Sequence, residues 1–362
     1  MKIETFKFDI LTRLFSAGAN ADKEGGAEIR ATEVRSQLRW WFRILGGFNN
    51  DNRSVKEQEK IYFGGVGDNP SKSKLGVRVK VSAALRQEFK DADALGASLN
   101  SPLGYLLFPL RSNPNKGVYA SRAHFVPNEF NKHAFEVSLF MEGTEREWVN
   151  IKALITILGS LGALGFRSRR CMGAIANHES PPMSLAEALA YFRSPTNIIV
   201  KSLGLGSDTV DGSVKELSNW LKDWRSYGSS RFGLNEGGRG FKFAKKDHDA
   251  GVVDRGDDVY RAAIGLPIIQ QYSSGERVKN EWEANDAERF ASPVILRPHR
   301  KEDGRFIPLV IFADLYKWDD KRKVQLFRKN KETKRRDVYR TVRGSNELYE
   351  EMKKDERLKD FI

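Results

Sequence analysis

The 362-residue sequence predicts an α+β protein, and two observations about its first half lead to that fold class. Apolar residues recur at alternate positions in several short runs, which is typical of half-buried β-strands. These runs cover residues 2–10, 76–81, 134–140 and 174–176. Two longer segments, 33–45 and 145–161, have apolar residues at helical spacing. The order strand, helix, two strands, helix, strand indicates a ferredoxin-type sandwich, with helices on one face of an antiparallel sheet.

The first predicted helix has end signals and a narrow apolar face. Thr32 is predicted as its N-cap, and the pair Gly46 and Gly47 closes its other end. Four apolar residues fall within one arc of this helix and are expected to face the core. They are Val34, Leu38, Trp41 and Leu45.

A second stripe on the same helix is made of arginines. Arg35, Arg39 and Arg43 are spaced by four residues, so they repel one another by roughly a few tenths of a kcal/mol per pair. A helix keeps such a stripe most easily when an anion lies against it. That anion is either a bound phosphate or a set of carboxylates from elsewhere in the fold, and the sequence leaves both open.

A glycine- and arginine-rich segment follows the second predicted helix. Its characteristic residues are Gly162, Gly165, Arg167, Arg169, Arg170 and Gly173. Glycine turns let another chain approach closely and can aim successive backbone N–H groups at an anion. Arginine adds a planar fork that binds phosphate through two parallel hydrogen bonds. The segment therefore predicts a clamp for RNA phosphates. The alternative is a helix end that turns and exposes its arginines.

The second half is predicted to form another module. Pro181 and Pro182 interrupt both helix and strand, so we expect modules at residues 1–180 and 181–362. Residues 227–258 are rich in Gly, Asp, Arg and Lys without periodicity, which predicts an exposed, mobile insertion. Other segments have helix or strand patterns. Helices are predicted at 185–192, 214–224 and within 346–361, and strands at 292–296 and 307–312.

The charge balance indicates a polyanionic partner. The chain has 61 Lys and Arg against 48 Asp and Glu, a net charge of +13. Residues 317–343 hold twelve of the basic residues and four of the acidic ones, and the alternative for them is a solvated basic surface. No stretch suits a membrane-spanning helix or a signal peptide. With only one cysteine, Cys171, the chain is predicted to be cytoplasmic.

A search for catalytic residues gives no candidate. The five histidines are scattered without metal-ligand spacing, and we expect surface or incidental roles for them: His124, His133, His178, His248 and His299. Cys171 has no partnered base and is interpreted as a small packing residue. No cofactor and no metal site are therefore predicted.

Four motifs, in order, resemble the RAMP superfamily, and within it the first RAMP subunit of Cmr (type III-B) CRISPR effector complexes. The run from Glu28 to Arg43 is similar to that subunit's first-helix signature, and residues 162–173 look like the glycine-rich loop that defines RAMP proteins. Gly265-Leu266-Pro267 and Arg289-Phe290-Ala291-Ser292-Pro293 resemble two later motifs. Ser36 and Cys171 stand where the family usually has glycine.

The resemblance implies two tandem ferredoxin-like (RRM-like) modules in a non-catalytic subunit. Such a subunit lies near the 3′ side of the guide RNA beside other RAMP subunits and helps to seat guide RNA and target RNA. The expected RNA-binding residues are Arg30, Arg35, Arg39, Trp40, Arg43, Gly162, Gly165, Arg167, Arg169, Arg170 and Gly173. Trp40 points away from the apolar arc, so it is expected to stack on a base. The alternative is a RAMP-type endoribonuclease that processes guide RNA, for which His178 is the nearest histidine to the loop.

Overall fold

The structure is a computed structural model that describes residues 1–65, 70–97, 101–110, 121–225, 238–253, 255–266, 268–271, 279–284, 289–319, 321–329 and 336–362. Strands and helices both occur along it, which confirms the predicted α+β class. The strands are β1 Lys2–Ile10, β2 Gly76–Val81, β3 Gln87–Lys90, β4 Arg122–Phe125, β5 Phe135–Met141, β6 Ile175–Asn177, β7 Ile198–Leu203, β8 Asp258–Val259, β9 Ile268–Gln271, β10 Lys279–Ala284, β11 Val294–Arg300, β12 Phe306–Ala313, β13 Lys323–Lys329, β14 Arg336–Gly344 and β15 Leu358–Asp360. The α-helices are α1 Ala31–Ile44, α2 Val55–Phe63, α3 Pro102–Leu106, α4 Glu145–Leu161, α5 Leu185–Leu189, α6 Val210–Arg225, α7 Phe241–His248 and α8 Glu347–Lys353.

The chain divides into two compact units. Unit 1 comprises Met1–Ser218, Leu296–Ile311 and Asp360–Ile362, and unit 2 comprises Asn219–Ile295 and Phe312–Lys359. No helix of the described residues is long and apolar enough to cross a bilayer.

The first sheet of unit 1 has the strand order β2-β5-β1-β6, and each strand is antiparallel to its neighbours. Two of its strands match the predictions at 2–10 and 76–81, while β5 and β6 are shifted by one residue from theirs. Phe8 lies opposite Phe135 in the register, and their rings stack 5.3 Å apart. In chain order α1 follows the first of these strands and α4 follows the third, as the sequence predicts.

The second four-stranded sheet repeats this topology. Its order is β11-β12-β7-β15. When the strands of each sheet are numbered along the chain, both sheets have the order 2-3-1-4. Here α6 follows the first strand and α8 follows the third. The predicted strands at 292–296 and 307–312 correspond to β11 and β12, which extend further than expected.

The predicted start of α1 is wrong, whereas its faces are confirmed. Arg30, not Thr32, is the N-cap, because the carbonyl of Arg30 already accepts the N–H of Val34 at 3.2 Å. Gly46 and Gly47 end the helix with positive φ angles of 77° and 72°. The four core residues proposed for this helix are all at most 1% exposed. By contrast α4 begins as predicted after Thr144, whose side chain and that of Glu147 cap each other's backbone N–H.

Unit 2 is built around a five-stranded sheet with the order β8-β14-β13-β10-β9. Trp282 and Trp318 are buried in its core. Described residues of the basic segment 317–343 form β13 and β14, and residues 320 and 330–335 lie outside the described part. Lys323 is exposed there, whereas Val324 and Leu326 are buried.

The prediction of an exposed insertion at 227–258 is wrong for residues 241–253, which form α7 and a following π-helix, Asp249–Val253. Phe243 is fully buried. Asp247 is also fully buried and accepts hydrogen bonds from Arg261 Nε at 2.6 Å and from the N–H of Tyr260 at 2.7 Å. These partners are distant in sequence, so local composition gave no sign of them. Residues 227–237 and 254, like Pro267 of the third motif, lie outside the described residues.

Candidate nucleic-acid interface

The arginine stripe of α1 lies against a carboxylate of α2. Arg43 donates from Nε to Glu59 Oε2 at 2.6 Å, and Arg39 donates to the same carboxylate. Burial raises the pKa of Glu59, but hydrogen bonds from Arg43 and Arg39 outweigh it and hold that pKa below its usual range. Arg35 donates to the backbone carbonyl of Phe63. Of the two anions that the sequence left open, the structure provides the carboxylate for two of these arginines.

The stripe nevertheless remains open to an outside ligand. The side chains of Arg39 and Arg43 are 37% and 48% exposed, while that of Glu59 is 11% exposed. The carboxylate therefore holds the guanidinium groups from below and leaves part of each accessible. A phosphate contact at these arginines stays a prediction.

Trp40 joins this stripe to the glycine-arginine loop, which we define as residues 162–173. The guanidinium carbon of Arg169 lies 5.1 Å from the centroid of the Trp40 ring, a cation–π distance. Trp41 packs edge-on against Trp40 at 4.8 Å and is itself 1% exposed, which confirms it as a core residue. Stacking of Trp40 on a base stays a prediction.

The backbone of the glycine-arginine loop is tightly turned. Gly165 and Gly173 have φ angles of +78° and +65°, and so do two residues other than glycine, Arg167 at +66° and Cys171 at +69°. A Cβ at Gly173 would lie 1.9 Å from the carbonyl oxygen of Leu164, so only glycine fits there. Cys171 therefore occupies a conformation that favours glycine.

The three arginines of the loop have different surroundings. Arg167 donates from Nε to the carbonyl of Leu106 at 2.7 Å. Arg170 is only 7% exposed and donates to the carbonyl of Arg169 at 3.0 Å. Arg169 is half-buried against Trp40. The geometry therefore gives Arg170 a bracing position, and RNA contacts at all three stay predictions.

A fully buried arginine that the sequence analysis missed supports the loop from β11. Arg297 donates to the carbonyls of Gly162 at 2.6 Å and Ile175 at 2.9 Å, so it ties the start of the loop to the strand after it. Burial lowers the pKa of Arg297 to about 9. The backbone of Leu296 adds two hydrogen bonds, to the N–H of Cys171 and the carbonyl of Arg169. Nothing in the local sequence distinguishes this arginine from an exposed one.

Glu33, in the first turn of α1, places its carboxyl group against the glycine-arginine loop. Glu33 Oε1 accepts the N–H of Gly165 at 2.5 Å, and Glu33 Oε2 contacts the Ser16 hydroxyl. Burial raises the pKa of Glu33 above its usual range. Arg30 lies at the same end of the helix and pairs with Glu28 at 3.4 Å. The backbone N–H predicted to face a phosphate thus faces a side chain of the protein itself.

Cys171 is fully buried, which confirms it as a packing residue, and burial raises the pKa of its thiol to about 12. Of the histidines expected to be surface or incidental residues, His124 is not at the surface, since it is fully buried and burial lowers its pKa. Burial also lowers the pKa of His299 to about 4.

His178 belongs to a cluster around the buried carboxylate of Asp9. Asp9 Oδ1 accepts from His178 Nδ1 at 2.8 Å and from Asn128 at 2.9 Å, and Asp9 Oδ2 accepts from Arg300 at 2.6 Å. The ring of His133 lies edge-on to that of His178, with centroids 5.8 Å apart. The cluster satisfies a buried charge, and it also orients one imidazole.

Comparisons with known proteins agree with the resemblance seen in the sequence. The family model described as the RAMP superfamily matches residues 7–176. The chain is 28% identical over 181 residues to the CRISPR system Cmr subunit Cmr1-2 of Pyrococcus furiosus, covering 47% of this chain and 92% of that protein. It is 29% identical over 154 residues to Cmr1-1 of the same organism, covering 41% of this chain and 40% of that protein.

A solved structure extends the likeness to most of the chain. The crystal structure of Cmr1 from Pyrococcus furiosus in its apo form aligns with a TM-score of 0.52 and 16% identity. The alignment covers 86% of this chain and 88% of that one, so the two share a fold. The predicted resemblance to the RAMP superfamily and to the first RAMP subunit of Cmr complexes is confirmed.

Proposed function

Because this chain matches the RAMP superfamily over residues 7–176 and resembles the Cmr1 subunits of CRISPR systems, we propose that it is a non-catalytic RNA-binding subunit of a type III-B CRISPR ribonucleoprotein. It seats the 3′ side of the guide RNA and the target RNA beside other RAMP subunits, in the cytoplasm, for antiviral defence. Base pairing between guide and target supplies sequence specificity, so this subunit need only hold RNA backbone and shape.

The proposal includes two tandem ferredoxin-like modules, at residues 1–180 and 181–362. The repeated strand order of the two four-stranded sheets supports it, as does the position of a helix after the first and third strand of each. In this arrangement the segments that form the five-stranded sheet are insertions into the second module.

One observation carries the RNA-binding assignment, namely the contact between Trp40 and Arg169. It brings together the two arginine groups that the sequence singled out independently, the stripe of α1 and the glycine-arginine loop. Together they offer several partly exposed guanidinium forks, which suit a phosphate backbone. The proposed RNA-binding residues are Arg30, Arg35, Arg39, Trp40, Arg43, Gly162, Gly165, Arg167, Arg169, Arg170 and Gly173.

The test is RNA binding by the purified protein across a salt series, with a cleavage gel on the same samples. We expect Arg39→Ala and Arg169→Ala each to weaken binding and to reduce the slope of log K against log salt by about one unit per lost phosphate contact. Arg305→Ala is the matched control, since Arg305 is an exposed arginine paired with Asp303 at 2.8 Å. Equal affinity and slope for all three variants and the wild type would exclude the phosphate clamp.

A second candidate is a RAMP-type endoribonuclease, and the contact between Asp9 and His178 favours it. With Nδ1–H donated to Asp9, the Nε2 atom of His178 is left as a proton acceptor, as a general base requires. Cleavage that copurifies with the protein and disappears in His178→Ala would establish this function. Under our main proposal RNA stays intact, and His178→Ala leaves the affinity for RNA unchanged.

A further inference from the structure

A pocket lies where the first turn of α1 meets the glycine-arginine loop. Its volume is about 380 Å³, near the lower end of the roughly 300–1,000 Å³ that small-molecule sites occupy. Ser16, Arg30, Glu33, Arg122 and Phe166 contribute to its wall. The function proposed above uses two of the residues that line this pocket, Arg30 and Gly165, and gives no role to its other side chains.

Glu33 brings to this pocket a carboxyl that is only partly satisfied. A carboxylate has about four lone-pair positions, and here Gly165 N–H and the Ser16 hydroxyl approach two of them. Ser16 Oγ also lies 2.8 Å from the carbonyl oxygen of Glu28, so its single hydrogen is shared between two acceptors. Glu33 is therefore able to accept further N–H groups from a ligand.

The other side chains of the wall supply an aromatic ring and two cations. Phe166 is 48% exposed, and its backbone is fixed by a hydrogen bond of 2.8 Å to the carbonyl of Phe15. Arg30 and Arg122 are both exposed. A single nucleotide of RNA has three matching parts, which are the face of the base, the N–H donors of its edge and the phosphates on either side.

We propose that this pocket takes one unpaired guanine base of a bound RNA, with Glu33 as the residue that determines specificity. Guanine has two adjacent donors, N1–H and N2–H, that two carboxylate oxygens accept side by side. Adenine and cytosine carry a ring-nitrogen acceptor beside their amino group, and uracil carries a carbonyl on each side of its one N–H. Each of these three bases would turn an acceptor toward the carboxylate, and the repulsion between the two acceptors disfavours binding of that base. Phe166 stacks on the base, while Arg30 and Arg122 contact flanking phosphates.

This inference rests on the RNA binding proposed above, and one experiment separates the two. The full chain is titrated with oligouridylates that carry a single guanosine, inosine, adenosine or cytidine at the same position. We expect guanosine to bind about tenfold more tightly than adenosine or cytidine, with inosine between them because it lacks the amino group. Glu33→Gln should abolish this preference, and Phe166→Ala should weaken binding of every guanosine-containing RNA.

Two matched control variants should keep the preference for guanosine if this pocket causes it. Glu28→Gln removes a carboxylate that pairs with Arg30, and Phe130→Ala removes another exposed ring, 43% accessible, that is not part of the pocket.

Equal, salt-dependent affinity for all four RNAs overturns the guanine pocket and leaves the proposed function standing. If no RNA binds, the proposed function fails, and a titration with guanosine monophosphate decides the pocket. Saturable binding that Glu33→Gln abolishes supports the pocket, and no saturable binding overturns it. The inosine comparison needs no variant, so a folding defect in Glu33→Gln does not remove the test.

Discussion

Arginines lie both in the stripe of α1 and beneath the glycine-arginine loop, but the protein holds them in opposite ways. In the stripe, Arg39 and Arg43 are partly exposed and share the carboxylate of Glu59. Beneath the loop, Arg297 is fully buried and hydrogen-bonded to backbone carbonyls. In the stripe an internal anion balances cations that face outward, whereas under the loop a cation takes part in holding the backbone itself.

This difference shows that an arginine count does not separate contact residues from positioning residues. A guanidinium that donates to several carbonyls fixes the backbone that carries them, because its fork is planar and rigid. A guanidinium that shares one carboxylate keeps donors available for a second partner. We therefore expect changes under the loop to affect folding first, and changes in the stripe to affect RNA binding first.

The largest effect is expected for Arg297→Ala. The substitution leaves the carbonyls of Gly162 and Ile175 without their buried donor and opens a cavity between the loop and β11. We expect the free energy of unfolding to fall by about 3 kcal/mol or more, measured by chemical denaturation. Arg297→Lys keeps the charge but loses the fork, so its loss should lie between those of the wild type and the alanine variant. An unchanged denaturation midpoint in Arg297→Ala would show that the loop does not depend on this side chain.

A smaller effect is expected for Glu59→Gln, and this substitution should strengthen the binding of RNA. Removing the carboxylate releases Arg39 and Arg43 for phosphate, so RNA affinity should rise roughly threefold and the salt slope should steepen. The free energy of unfolding should fall by about 1 kcal/mol, because a partly buried ion pair is lost. Affinity is measured at several salt concentrations, and stability by denaturation of the same samples.

The control for this variant is Asp303→Asn, which also releases an exposed arginine, Arg305, from its carboxylate. If both substitutions raise RNA affinity equally, the gain reflects net charge alone and the stripe has no special part. If Glu59→Gln lowers affinity, the carboxylate positions the arginines for RNA instead of competing with it.

Local patterns in the sequence predicted the elements of the first sheet because each is specified by nearby residues. The alternation in β1 and the capping pair of Thr144 and Glu147 act within a few positions along the chain. The predicted cap of α1 failed since the start of that helix depends on the carbonyl of Arg30. The insertion containing α7 was missed because Asp247 is satisfied by a distant arginine, Arg261.

The candidate site shows the same limit. Its glycines and arginines were visible in the sequence, because positive φ angles and phosphate binding both require particular residue types. Their internal partners were not visible, since Glu59 and Arg297 lie in segments with no special composition. The sequence places Glu33 only near the start of a predicted helix, whereas the fold makes it the partner of Gly165.

The smallest effect is expected for Glu33→Gln. The carboxyl group of Glu33 lies at the glycine-arginine loop, as that of Glu59 lies at the stripe. Burial raises the pKa of Glu33 above the usual value of about 4.5, so the folded protein holds this proton more tightly than the unfolded chain. The contribution of Glu33 to stability is therefore fully present below pH 4.5 and is lost as the pH rises through the raised pKa.

The glutamine of the Glu33→Gln variant does not titrate. The stability of Glu33→Gln relative to the wild type should therefore increase with pH across that window and then level off. Denaturation of both proteins at a series of pH values measures this, with Glu28→Gln as the exposed control. A relative stability that falls with rising pH would mean that Gly165 and Ser16 stabilise the carboxylate more than burial opposes it.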